Sequence, residues 1–404
     1  MTTVARTAAA DWRLPFCATL VAMFALQLQN LGFSPLLPSI QQDFGMSYTQ
    51  LGLFTGIYGL LALALSVPAG IGAKRFGERR VLGVGLLGVA AGSLLLGQAW
   101  DFTSAMAFRG LTISAYRFGF VSVLIAVALT APPRLRGRTM GVVGATSSLA
   151  SVIGAPLGGI LVGAFGWRQA ILGYAGMAVV GSAVFLAFYR PTGDGDPDAD
   201  LHAPGGPTRS AFLSPVIWML ALIVGVGGFG QFTVTNFVPS VARANYALDA
   251  AAAGLIISTG YIAAIVINII VGGLADRFDK LVVIGALFAI LAVASSSLAI
   301  DSVIVFRIAA AAVIGFGFTA ANQLYGLAGH LMPRREAGNA MGIVSLGAGL
   351  FGYFGPQMLG ILRDRTGSFA AGFHMVAFAD VLSLGLLVVL HRMTRRRPDR
   401  GASA

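Results

Sequence analysis

The chain has 404 residues, 56% of them hydrophobic and only 11% charged. A soluble domain carries roughly a quarter charged residues, so too few are present here to cover a water-facing surface. The net charge of +11 is spread in short basic runs between apolar stretches, the pattern of orienting loop charges and not of a nucleic-acid-binding face. A single cysteine, Cys17, excludes an intrachain disulfide, and no Cys/His cluster indicates a metal or another bound cofactor.

Lipid offers the backbone no hydrogen-bond partner, so membrane spans here must be helices, each of about 20 apolar residues. Residues 1–13 form a cytoplasmic tail carrying Arg6 and Arg13. The following apolar stretch runs past Gln27 and Asn30 without a small-residue cleavage site, which argues against a cleaved signal. Spans 1 to 6, within 14–190, are expected near 14–40, 48–72, 81–99, 103–131, 139–165 and 169–189. Residues 191–212 hold Asp194, Asp196, Asp198 and Asp200 among Gly and Pro and read as a flexible cytoplasmic linker. Spans 7 to 12, within 213–391, follow near 213–240, 250–274, 281–300, 303–330, 339–362 and 371–390, and 392–404 form a basic cytoplasmic tail.

With the N-terminus inside, 20 of the 27 Lys and Arg residues fall in cytoplasmic segments, four in outside loops, and Arg109, Arg117 and Arg307 within spans. That bias places both termini in the cytoplasm of a bacterial-type inner (plasma) membrane. The chain also repeats itself. Residues 136–161 and 337–362 align without a gap, with Gly141/Gly342, Gly154/Gly355 and Gly159/Gly360 among the identities. Gly70, Arg75 and Phe76 likewise match Gly272, Arg277 and Phe278. The fold class implied is an all-α membrane protein of twelve transmembrane helices in two pseudo-symmetric six-helix bundles. A solute site is expected between the bundles near the midplane.

After span 2 stands Gly70-Ile71-Gly72-Ala73-Lys74-Arg75-Phe76-Gly77-Glu78-Arg79-Arg80, and the second-half copy is Gly272-Gly273-Leu274-Ala275-Asp276-Arg277-Phe278-Asp279. These runs resemble the loop signature G-x-x-x-D-R-x-G-R-R of the major facilitator superfamily, and the resemblance covers nearly the whole chain. It implies a cytoplasmic gate at this loop and a central cavity lined by spans 1, 4, 7 and 10. Lys74 stands where the family has Asp, which shifts the expected latch role towards Asp276. Plain positive-inside charge would explain the basic residues but not their spacing. The family's span-four arginine corresponds to Arg109, 27 residues before Arg136-Gly137, with Arg307 its counterpart in span 10. Gly154-Ala155-Pro156-Leu157-Gly158-Gly159 resembles the Gly/Pro motif of the superfamily's antiporters, shortened by one residue. Gly–Pro in a helix also bends and packs it, so a structural role stays open. Gly166-Trp167-Arg168 resembles a family loop anchor.

Ionisable groups deep in a span are costly and face cavities or partners. Arg117, near the middle of span 4 and two turns beyond Arg109, is expected to bind an anion in the cavity; the alternative is a structural clamp on carbonyls or phenols. Gln27, Asn30 and Ser34 share one face of span 1, Gln231 sits in span 7, and Thr319, Asn322 and Gln323 form a stripe in span 10. Each could be interhelical glue, but four polar sets on the four cavity helices point to substrate binding, with Tyr58, Tyr116, Tyr261 and Tyr325 as candidate walls. Asp380 is the one acid deep in a span. Two roles stay open for it, a structural ion pair with Arg307 and proton coupling.

The reading is a non-enzymatic secondary transporter moving a small anion, a carboxylate or oxyanion, by alternating access, with protons the candidate coupling ion. Its implied partners are the solute and the lipid bilayer, with no nucleic acid, and it is expected to work as a monomer. The alternative is a multidrug or hydrophobic-compound efflux antiporter, suggested by the span-5 motif and the apolar, aromatic-rich walls.

Overall fold

The computed structural model describes residues 12–132, 135–190, 213–275, 277–331 and 337–395. The 191–212 linker, most of both tails and the gating candidate Asp276 therefore lie outside the described residues. Span 1 is Arg13–Leu31, continued by a 3-10 turn, Ser34–Leu36, and a short helix, Leu37–Asp43. Spans 2 to 6 are Tyr48–Phe76, Glu78–Gly97, Phe102–Thr130, Arg136–Phe165 and Trp167–Phe188. Spans 7 to 12 are Pro215–Tyr246, Ala250–Ala275, Lys280–Ser297, Val303–Leu331, Ala337–Thr366 and Ala370–Arg395. Eleven of these are long and apolar enough to cross a bilayer; the twelfth, Ala337–Thr366, is rich in glycine and ends in Arg363, Asp364 and Arg365.

Local sequence explains where the helices start. Ser47 and Gln50 exchange side-chain and backbone hydrogen bonds in a capping box that opens span 2, and Asp101 and Ser104 do the same for span 4. Spans 3 and 6 follow their predecessors across one residue each, Gly77 and Gly166, both at φ +83°, where a β-carbon would be strained. Span 1 breaks at Gly32 because Pro35 and Pro38 follow in quick succession and cannot donate to the preceding turn. Pro68, Pro156, Pro239 and Pro356 lie inside spans 2, 5, 7 and 11, each leaving a carbonyl four residues earlier without its usual amide.

Spans 1–6 and 7–12 meet along two interfaces, span 2 against span 11 and span 5 against span 8. Gly52 faces the Pro356 carbonyl and Gln357 Cα, while Gly254 faces the Ala155 carbonyl and Pro156 Cα. Gly360 faces the Tyr48 carbonyl as Gly159 faces the Ala250 carbonyl. A β-carbon at any of the four would overlap backbone of the opposing helix, which is why small residues belong there. The four contacts are repeat partners of one another. They lie towards the end of the molecule opposite Arg13 and Arg395. Towards the other end of the same four spans, Gly70, Gly141, Gly144, Gly272 and Gly342 face open space. The halves are sealed at one end and diverge at the other.

Candidate functional site

Arg117 is half-buried near the middle of span 4. One terminal nitrogen donates to Ser66 Oγ of span 2 at 2.7 Å, and the guanidinium lies 5.8 Å from the Phe120 ring centroid. Its Nε is buried without a hydrogen-bond partner. Ser66 Oγ in turn donates to the Ala62 carbonyl, so its lone pairs are free to accept and the arginine is held by one arm. No carboxylate pairs with Arg117 among the described residues.

The surroundings are neutral and oxygen-rich. Tyr116 is buried and its hydroxyl donates to Gln27 Oε1 of span 1. The Tyr58 ring of span 2 lies 6.0 Å from Tyr116, and Phe120 stacks on Tyr116 at 5.8 Å. Tyr261 of span 8 is within electrostatic reach of Tyr58 and Tyr116. Tyr325 of span 10 meets Ser345 of span 11 and is within reach of the Arg117 charge. Residues from both halves therefore converge on Arg117.

The other predicted positions distribute more widely. Gln231 of span 7 is buried against Gly317 of span 10. Asn322 is exposed and donates to Asn268 Oδ1 of span 8 at 3.4 Å, and Gln323 is half-buried. Thr319 leaves the expected stripe: it is fully buried and bonds its own helix at the Gly315 carbonyl. In span 1, Gln27 and Asn30 are both half-buried, but Ser34 leaves their face because the helix ends at Leu31. The glue in that span is Gln29, donating to Ser93 Oγ at 3.0 Å.

The expected Asp380–Arg307 pair is not formed. Asp380 is buried and accepts from Ser295 Oγ of span 9 at 2.7 Å, with Oδ1 unpartnered beside Gly230 of span 7. Arg307 is exposed on the outer face of span 10. The two fail to meet because Asp380 is turned inward towards spans 7 and 9 while Arg307 is exposed.

At the diverging end, Lys74, Arg75 and Arg277 are exposed, and Arg75 lies 5.5 Å from the Phe76 ring centroid. Arg109 is buried, its guanidinium 3.5 Å from the Phe33 ring centroid, with Nε unpartnered. Gly154 and Gly158 let span 5 approach the break in span 1 at Gly32, and Tyr174 donates to the Gly154 carbonyl at 3.1 Å. Pro156 frees the Val152 carbonyl, which accepts instead from Ser258 Oγ of span 8 at 2.7 Å. Trp167 Nε1 and Arg168 both bond the Asp43 carboxylate, and Arg168 also donates to the Gly97 and Ala99 carbonyls.

Ser66, Ser258, Ser295, Ser345 and Asp364 were not legible as functional. For Ser66 the available signal was its place two residues before Pro68, and for Asp364 its place at the end of span 11; Ser258 and Ser345 carried none. An apolar groove of about 520 Å³ between spans 9 and 10, lined by residues such as Val293 and Ile308, lies on the outer surface, away from Arg117.

The model of the Major Facilitator Superfamily matches residues 16–356 and, overlapping, 224–403. The chain is 25% identical to the "Nitrite extrusion protein" of Bacillus subtilis, over 90% of this chain and 91% of that one. It is 22% identical to the "Probable sulfoacetate transporter SauU" of Cupriavidus necator, over 94% of each. Among solved structures, a bacterial homolog of the human lysosomal transporter Spinster, in an inward-facing and occupied conformation, superposes with a TM-score of 0.80 at 15% identity, over 96% of this chain and 98% of that one. Twelve long helices among the described residues, a repeat that rebuilds one interface as its twin, and a family match along nearly the full length place this chain in the Major Facilitator Superfamily, as a multi-pass membrane transporter and not an enzyme.

Proposed function

We propose that this carrier moves a small anion, a carboxylate or an oxyanion, by alternating access, with Arg117 as the group that binds the charge. The observation carrying this reading is a guanidinium held by one hydroxyl, free of any described carboxylate and ringed by phenols and amides. Such a group attracts an anion and repels a cation. Tyr116 and Gln27 supply neutral hydrogen-bonding groups beside it, and Asn30, Gln231, Asn322 and Gln323 are the further substrate contacts proposed along the path between the bundles. The names of relatives from Bacillus and Cupriavidus, concerning nitrite and sulfoacetate, support the same charge class.

The basic-residue bias puts both termini in the cytoplasm of the inner membrane, so the diverging end opens inward, and the chain works as a monomer. The bundles comprise 14–190 and 213–391, joined by the cytoplasmic linker 191–212. Gly70, Lys74, Arg75, Gly77, Asp276 and Arg277 form the inner gate. Asp380 is the carboxyl assigned to proton coupling, with its unpartnered oxygen as the atom to hold a proton.

The test is uptake into proteoliposomes of nitrate, nitrite, short carboxylates and sulfonates. Arg117→Ala should abolish uptake of the transported anion, and an inward pH gradient should accelerate the wild type but not Asp380→Asn. Export of cationic dyes by an Arg117→Ala protein that retains full activity would replace this reading with the efflux one.

A further inference from the structure

The first amides of a helix have no partner within it, so their bonds show what holds that end in place. In span 2, Ser47 Oγ accepts from Gln50 N at 3.1 Å, and Gln50 Oε1 accepts from Ser47 N at 2.9 Å. The two remaining amides go to the other half of the molecule. Tyr48 N donates to Asp364 Oδ1 at 3.0 Å and Thr49 N to Asp364 Oδ2 at 2.8 Å. Thr49 Oγ1 adds a third bond, to Oδ2 at 2.7 Å. A carboxylate here also meets the positive end of the span 2 dipole. The neighbouring Arg363 lies 5.1 Å from the Tyr48 ring centroid and 4.9 Å from that of Phe369, clasping the same turn.

We propose that Asp364 is a latch: it caps span 2 across the boundary between the halves, and the cap must break each time the sealed end opens. The repeat sharpens the case. The glycine seal is present at both interfaces, because Gly52 and Gly360 have repeat partners in Gly254 and Gly159. Asp364 has no acidic twin. Its repeat partner is Gly163, which faces open space. Span 8 is capped from its own side, Asp249 Oδ1 accepting from Ala252 N at 2.7 Å. The latch thus belongs to one interface only, as the Ser258 bond to the Val152 carbonyl belongs to the other, and it makes the pseudo-symmetric seal unequal. Alternating access requires spans 2 and 11 to part at this end, and the Asp364 bonds cannot survive that parting. The inference does not depend on which solute is carried.

The experiment uses the full chain in nanodiscs, without substrate, in a Cys17→Ser background. Hydrogen exchange at Tyr48 and Thr49 is read alongside spin-label distances between Trp100→Cys and Ile300→Cys, on loops of opposite halves at the sealed end. Asp364→Ala should speed exchange at both amides about five- to tenfold, the effect of losing a helix cap, and should enlarge the long-distance population. Asp364→Asn, which keeps acceptor atoms but loses the charge, should fall between. Unchanged exchange would overturn the contact itself. Faster exchange with the wild-type distance distribution would reduce Asp364 to a local cap and overturn the latch. Should Asp364→Ala fail to fold, Thr49→Val removes one of the three bonds, with a smaller shift in the same direction expected and no shift counting against the latch.

Discussion

Replacing Ser258 by Ala removes one hydroxyl at the second interface and tests how a proline in one half is supported by the other. Pro156 has no N–H, so the Val152 carbonyl loses the amide that would close its helical turn. Ser258 Oγ takes that place at 2.7 Å, and Ser258 is only 5% exposed. Leaving a buried acceptor unsatisfied costs about 1–3 kcal/mol. That cost falls only on the conformer in which spans 5 and 8 touch at this depth. Taking about 1–2 kcal/mol, the ratio of sealed to opened conformers should fall about five- to thirtyfold. The Trp100/Ile300 spin-label pair reads that ratio directly. Ser258→Thr retains the hydroxyl and should stay near wild type. An unchanged distribution in Ser258→Ala, or an equal shift in both variants, would refute the reasoning.

Gly52→Ala and Gly254→Ala each push a β-carbon into backbone of the opposing helix. Each should cost the sealed conformer about 1–3 kcal/mol, and the two shifts should be alike because the contacts are repeat partners; a shift in only one would break the symmetry argument. Ser66→Ala frees the arm of Arg117 now fixed at 2.7 Å. It should raise KM for the transported anion about three- to tenfold with little change in maximal rate, and Ser66→Thr should restore it. The side chain and amide of Ser104 hold the Asp101 carboxyl below the ordinary aspartate range. The stability from this cap is present above the unfolded-state pKa and is lost as pH falls through the lowered folded value. Melting curves between pH 2 and 5 should show a smaller acid loss in Asp101→Asn, and an identical slope would count against the cap.

Spans were legible in the sequence because burial in lipid leaves a long apolar signature, and the short basic runs and the Gly70–Arg80 motif survived as sequence patterns. The repeat was legible because glycines such as Gly159 and Gly360 perform the same task at two interfaces. Arg117 stood out because an arginine has few places to go in a membrane. Ser66, which orients it, did not stand out, because a hydroxyl in a span usually bonds its own helix, as Thr319 does and as Ser66 also does while accepting from Arg117. The Asp380–Arg307 pairing failed because depth in a span says nothing about the face on which a side chain emerges.

Composition and hydropathy by themselves determined a helical membrane protein of twelve spans, since that follows from the solvent each segment must tolerate, while the internal repeat determined its two related halves and the motif resemblance implied a carrier. Only the tertiary structure decided which end is sealed, that Asp364 caps a helix more than 300 residues away in the chain, and that a serine of one half completes a carbonyl freed by a proline in the other. Those contacts join groups whose partners are chosen by helix rotation and tilt, quantities set by packing between helices and absent from any local run of residues.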